Sequence, residues 1–362
     1  MKIAIFFVFL ALFSQMLFAQ ELRFSGEAGS VWASALREKN RGDYVLGDTY
    51  LDGKLEAFYD DAFVFAQGRA GFDESAEESY CELKELYFDY SSSFWGFRIG
   101  CQKVAWGKAD GIEITNIICP KDSSSLRSLF NDERLAIDTA RLCLNNDVFT
   151  LDAYFIPFES SIESSRSNAK KPIEKNIKNA DYAAKLSGYF SLCDVSLYAY
   201  YGKEADTKNM FGSDAAFPIG ETVLRLESAY FFDNHKNLRS LIGLDWFPQS
   251  WTLTAQYFCD YCFDDKFNEQ KELFGLDKYS HGATFNISKS LLSDTLTLSS
   301  SVVLMLNDLD SAIEVSGEYS LTDSVFLELG SYIFSEGKDN KIGTYGLYKD
   351  YTSAYLKARC VF

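Results

Sequence analysis

Beyond its amino-terminal segment the chain is a run of short stretches in which apolar and polar side chains alternate. Tight polar connections and longer variable ones separate them by turns, and the last residue is Phe362. Alternation with a period of two places successive side chains on opposite faces of a strand. No stretch is apolar over the roughly 20 residues that a membrane helix needs. Strands can still cross a bilayer if every backbone group finds its partner inside a closed sheet. The pattern therefore predicts an all-β chain, a transmembrane antiparallel β-barrel with an apolar outer face and a wet interior. Aromatic residues make up 16% of the sequence, with 31 Phe and 22 Tyr, as the girdles at the two rims of such a barrel require.

The first residues have the three parts of a secretory leader: Lys2, the apolar run Ile3 to Phe13, and the small-residue site Leu17-Phe18-Ala19 before Gln20. Cleavage is expected after Ala19, leaving one barrel domain over 20–362. No Cys follows that site, so no lipid anchor is indicated. A formal charge of -17 offers no basic stripe for phosphates, which excludes nucleic acid as a partner. The eight cysteines are scattered. Cys101 and Cys360 fall on apolar faces as small hydrophobes, and Cys259 with Cys262 is the one local spacing that suggests a disulfide.

Alternating segments fall at 22–36, 50–60, 62–72, 82–90, 94–102, 135–145, 148–158, 181–191, 195–203, 222–232, 239–247, 251–261, 279–288, 295–305, 311–319, 325–335 and 351–362, seventeen in all. An odd number is wrong for a single-chain barrel whose two ends lie on the same side. Counting back from Phe362 through the tight turns Thr322-Asp323-Ser324, Ser293-Asp294 and Pro248-Gln249-Ser250, strand 222–232 runs outward. Counting forward from Leu22, so does 195–203. An inward strand is needed between them, and Met210 to Phe217 supplies it, with Phe211, Ser213, Ala215 and Phe217 toward lipid, Gly212 and Asp214 inward, and Pro218-Ile219-Gly220 as the turn. About eighteen strands result, with sixteen as the alternative.

A lysine or arginine on the lipid face at mid-bilayer costs about 2–4 kcal/mol, so the charged faces are assigned inward. Arg69, Glu85, Arg98, Arg225, Glu227, Lys357 and Arg359 are the expected pore-lining residues, either as rings that tune selectivity or as ion-pair ladders that stiffen the wall. Segment 135–145 resists the scheme, because Asp138 and Arg141 fall on opposite faces; a bulge or a rim position would reconcile them. The third long loop, about 103–134, has apolar mass in Trp106, Ile112, Ile114, Ile117 and Ile118, enough to be buried in the lumen. Trp106, Lys108, Asp110, Asn116 and Asp122 are its candidate constriction residues. Phe362 is the candidate insertion signal, read by the barrel-assembly machinery.

Arg98-Ile99-Gly100-Cys101-Gln102 leading to Trp106-Gly107, then Cys119-Pro120-Lys121-Asp122, with Val195 to Gly202 and Leu224 to Tyr230, resemble a bacterial outer-membrane barrel family catalogued mainly as a domain of unknown function and related to alginate-export and substrate-selective porins. The resemblance covers about half of the mature chain. It implies a large barrel that moves small or oligomeric solutes, with the third loop folded inward and the Arg225 and Glu227 couple facing the pore. Cys119 stands where that family usually has Asn.

Asp260, Asp264, Asp265 and Glu269 match no calcium loop and read as a solvated acidic loop, as the Lys170, Lys171, Lys175 and Lys178 cluster reads as a solvated basic one. With His235 and His281 as the only histidines, neither a zinc pair nor a serine triad is available. The sequence thus points to a non-enzymatic outer-membrane channel for small hydrophilic solutes, needing no cofactor and embedded in outer-membrane lipid; the resemblance to selective barrels favours a monomer, with a trimer as the alternative. Two rivals remain: an adhesin that uses the barrel as a scaffold for loops 159–180, 262–278 and 336–350, and a channel for hydrophobic substrates.

Overall fold

The computed structural model describes residues 20–108, 112, 114–121, 134–157, 179–202, 209–232, 236–263, 278–338 and 343–362. The expected leader, Asp110, Asp122, His235, the lysine cluster and Asp264, Asp265 and Glu269 lie outside them.

Eighteen strands follow one another: β1 (Glu21–Ala35), β2 (Tyr44–Tyr59), β3 (Ala62–Asp73), β4 (Glu78–Ser91), β5 (Trp95–Gln102), β6 (Ile137–Asn145), β7 (Phe149–Ile156), β8 (Asp181–Tyr189), β9 (Asp194–Tyr201), β10 (Met210–Ile219), β11 (Thr222–Phe231), β12 (Asn237–Trp246), β13 (Trp251–Cys262), β14 (Tyr279–Leu291), β15 (Leu296–Met305), β16 (Ser311–Ser320), β17 (Val325–Ser335) and β18 (Ser353–Val361). Each pairs antiparallel with the next, and β1 also pairs with β18, so the sheet has no free edge. The seam runs from Glu27 opposite Val361 to Ala35 opposite Ser353. Gly26 and Phe362 finish it by exchanging both backbone hydrogen bonds, at 2.9 and 3.0 Å.

Connections after even-numbered strands are tight, and those after odd-numbered strands include all the long ones, which defines a turn end and a loop end. Left-handed backbone makes several of the tight turns, at Asp60, Gln249, Ser293 and Asp294. Gly220, at φ +62°, ends the Pro218-Ile219-Gly220 turn that the strand count required. The tenth strand lies between β9 and β11, with Phe211 62% exposed on the outer face and Asp214 buried on the inner one.

The faces divide by polarity. Leu51, Leu226, Leu329 and Leu356 are exposed outward, where a bilayer would cover them, while Asp52, Asp152, Asp214, Glu227, Asp245 and Asp260 point inward and are buried. Strand β6 is reconciled by the rim. Its register against β5 is unbroken, with Asp138 opposite Cys101 at the loop end and facing out, and Arg141 further down facing in, 2.7 Å from Asp152. No bulge is involved.

The suggested Cys259–Cys262 disulfide is not formed. Three positions apart on one strand, the two side chains emerge on opposite faces, with Cys262 buried inside and Cys259 outside. All eight cysteines are free thiols, and Cys101 and Cys360 face outward.

Candidate functional site: a loop folded onto the inner wall

The third loop leaves β5 at the loop end and turns into the lumen. Val104, Trp106, Ile114, Ile118 and Cys119 are buried against inward side chains of β6 to β13 and β15, among them Tyr154, Tyr198, Met210, Phe231 and Phe258. The indole of Trp106 lies 4.8 Å from the Tyr198 ring and 6.1 Å from that of Tyr154. Burial of these groups from water drives the segment onto the wall. Its backbone must then find partners there.

Much of that demand is met by one carboxylate. Glu227, on β11 and only 3% exposed, accepts the backbone N–H of Lys108 at 2.6 Å and of Ile114 at 3.2 Å. Gly107, between Trp106 and Lys108, has φ +84°, and a methyl group added there would stand 2.3 Å from Glu227 Oε1. Its own N–H goes to the Tyr198 hydroxyl at 3.1 Å. Arg225, two positions before Glu227, donates to the Lys108 carbonyl and pairs with Asp245 on β12. Inward neighbours on one strand thus hold opposite polar groups of the same loop residue.

The loop also braces itself. The backbone N–H of Trp106 donates to Asn116 Oδ1 and that of Val104 to the Cys119 thiol, both at 3.1 Å. Arg134 donates to the carbonyls of Asn116 and Cys119 at 2.9 and 2.8 Å; burial lowers its pKa to about 10, and it stays charged at neutral pH. The departure of Cys119 from the expected Asn therefore keeps an acceptor in place. Lys108 sends its ammonium group toward Asp194 (3.7 Å) and Asp214 (3.8 Å), and Asp214 also accepts from the Tyr198 hydroxyl.

The remaining expected wall residues all point inward, the basic ones into cross-strand pairs. Arg69 meets Asp52 at 3.1 Å, Arg98 pairs with Asp89, Lys357 lies 3.5 Å from Glu328, and Arg359 bridges Glu318 (3.0 Å) and Glu27 (3.4 Å). Glu85 accepts the backbone N–H of Lys103 where the loop departs. Phe362 lies at the seam with its ring 5.8 Å from Phe24.

Sequence reasoning passed over two features. Arg239, 2% exposed, pairs with Asp260 at 3.1 Å across the Phe231 ring; Asp260 is thus a buried inward residue of β13 and not part of a solvated acidic loop, and the inward position of Arg239 was legible from alternation while its burial was not. The last long connection, whose segment 336–350 the adhesin alternative would display as a surface loop, is the second. It turns inward instead: Asp310, fully buried, accepts the N–H groups of Tyr345 (2.6 Å) and Gly346 (3.1 Å), and Tyr345 and Tyr348 pack against Tyr332, Phe334 and Tyr355. Among the described residues no group of His, Cys, Asp and Glu is placed to hold a metal.

No protein-family profile matches the sequence, and no curated protein does. Solved structures match over nearly the whole chain. Acinetobacter baumannii OccAB2 superposes with a TM-score of 0.61 at 10% identity, over 95% of this chain and 98% of that one. Pseudomonas aeruginosa OprD gives 0.62 at 8% identity, over 95% of each. A Rhodopseudomonas blastica porin, in a triple-mutant form, gives 0.51 at 10% identity over 94% and 100%. The fold is therefore that of the porin barrels.

Proposed function

We propose that the chain is an outer-membrane channel through which small hydrophilic solutes diffuse passively, with the turn end toward the periplasm and the third loop setting the narrowest passage. The observation that carries this reading is the loop itself: its described residues are seated in the lumen by a buried glutamate rather than displayed outside. The inward turn of the last connection adds to it, since a scaffold for surface recognition would present that loop outward.

The wall charge suggests which small ions pass more readily. Its arginines stand against carboxylates, a further acid lies on a tyrosine hydroxyl, Asp48 on Tyr80 at 2.7 Å, and Glu56 stands on the same inner face opposite Phe65. A lining with that surplus favours cations. Refolded protein in a planar bilayer should give stepwise conductance and, across a KCl gradient, a reversal potential on the potassium side. Arg98→Glu should deepen that preference. Absence of any conductance would defeat the channel, and an anion preference would defeat the reading of the wall.

A further inference from the structure

Four aromatic rings stand on the wet face of the barrel, where the bilayer gives no reason for them. Registers fix their side: Asp52 lies opposite Arg69, Glu56 opposite Phe65, and Phe58 opposite Phe63, so the face of β2 and β3 that carries the ion pairs also carries Phe58, Phe63 and Phe65. On β4, Tyr87 lies opposite Phe65 and Asp89 opposite Phe63. All four rings sit in the half of the barrel nearer the turn end. Phe63 is central, with ring centroids 4.9 Å from Phe58, 6.2 Å from Phe65 and 6.1 Å from Tyr87, and Phe65 stacks on Tyr87 at 5.2 Å. Each ring is half-buried and so keeps part of its surface toward the lumen. The described part of the third loop lies on other strands, β6 to β13 and β15.

The charges flanking the strip decide what it suits. Arg23 lies over Phe58 at 4.9 Å and pairs with Glu21 at 2.6 Å, and Arg98 lies over Tyr87 at 4.4 Å and pairs with Asp89. Glu56, opposite Phe65, and Glu85, two positions before Tyr87, add negative charge that holds off an anion, and the two guanidinium groups face carboxylates of their own. They also occupy the cation–π positions on the two outer rings that a cationic solute would seek. What stays on offer is an apolar surface of adjoining rings, bordered by planar groups that donate or accept hydrogen bonds in pairs. A solute that matches both has a face of C–H groups and an edge of vicinal hydroxyls.

We propose that this strip is a binding site for neutral saccharides, on which sugar rings stack as they cross the turn-end half of the lumen. The proposal rests on the channel reading above and adds the solute class. The test uses the refolded full chain, with maltohexaose and cellohexaose as probes, polyethylene glycol of similar mass as the size control, and benzoate as the anionic aromatic alternative. In a planar bilayer at least one saccharide, added from the turn side, should interrupt the ion current in resolvable steps, while the polymer should not. Titration calorimetry of the detergent-solubilised protein should give a matching affinity. Triple replacement of Phe58, Phe63 and Phe65 by Ala should weaken that affinity at least about tenfold, a difference well resolved in either assay. If the triple variant does not fold, Phe63→Leu, which keeps apolar volume but removes the central ring, should still weaken it several-fold.

Ion conductance with no saccharide binding in either assay would overturn this proposal and leave the channel standing. Saccharide binding by a barrel that never conducts would overturn the channel alone. Equal affinity in wild type and variants, or binding of benzoate only, would also overturn the proposal.

Discussion

Replacing Glu227 with Ala should unseat the third loop. The carboxylate takes two backbone N–H groups, from Lys108 at 2.6 Å and Ile114 at 3.2 Å, in a setting nearly closed to water. Hydrogen bonds to a charged acceptor contribute about 1.5–3 kcal/mol each. Removing the residue also removes the cost of keeping a charge desolvated, which offsets part of the loss, so the lower end, about 3 kcal/mol, is the appropriate figure. That raises the ratio of displaced to seated loop on the order of a hundredfold. The apolar anchors at Trp106 and Ile118 remain, so the loop should flicker rather than leave. Single-channel recording should show larger open-state noise and excursions to higher conductance, and liposome swelling should admit larger solutes. Gly107→Ala should do the same by another route, because its methyl group would collide with Glu227 and its φ of +84° is strained for any side chain. Traces from both variants indistinguishable from wild type would refute the seating argument.

Three further outcomes follow from contacts elsewhere. Asp310→Ala should free the described part of the last connection and expose Lys349 to trypsin in the otherwise intact barrel, whereas equal resistance would mean its aromatic packing suffices alone. Arg239→Ala should lower stability by about 3–5 kcal/mol, because Asp260 would keep a buried charge without its guanidinium; denaturant unfolding in micelles measures this, and a loss under about 1 kcal/mol would contradict it. Maleimide labelling of unreduced, denatured protein should reach all eight cysteines, and a count of six would restore a disulfide.

Strand number and direction were open to reading because a barrel forces parity. The tight turns at Ser293-Asp294 and Pro248-Gln249-Ser250 fixed one end, and the missing strand had to fall near Met210. Inward charges followed from alternation and from what lipid refuses. Partners did not follow, since they depend on register: Arg225 is two positions from Glu227 in sequence, yet reaches across to Asp245, while Glu227 serves the loop. The aromatic strip escaped for the same reason. Ala62-Phe63-Val64-Phe65-Ala66 is apolar on both faces, so no alternation separates inside from outside until Phe65 is set opposite Glu56. The disulfide expectation failed on geometry that spacing alone already contained, since three steps along a strand reverse the face.

The seam between β1 and β18 ties the opening strand to the closing one. Its formation waits until β18 has been made, seventeen strands after its partner β1. Until then the nascent molecule is a curled ribbon with two raw borders, each able to recruit a stranger. Contacts spanning such sequence distances are also slow to form. Delivery to lipid is therefore a race between self-sealing and clumping, and the reciprocal grip of Gly26 and Phe362 marks the finish.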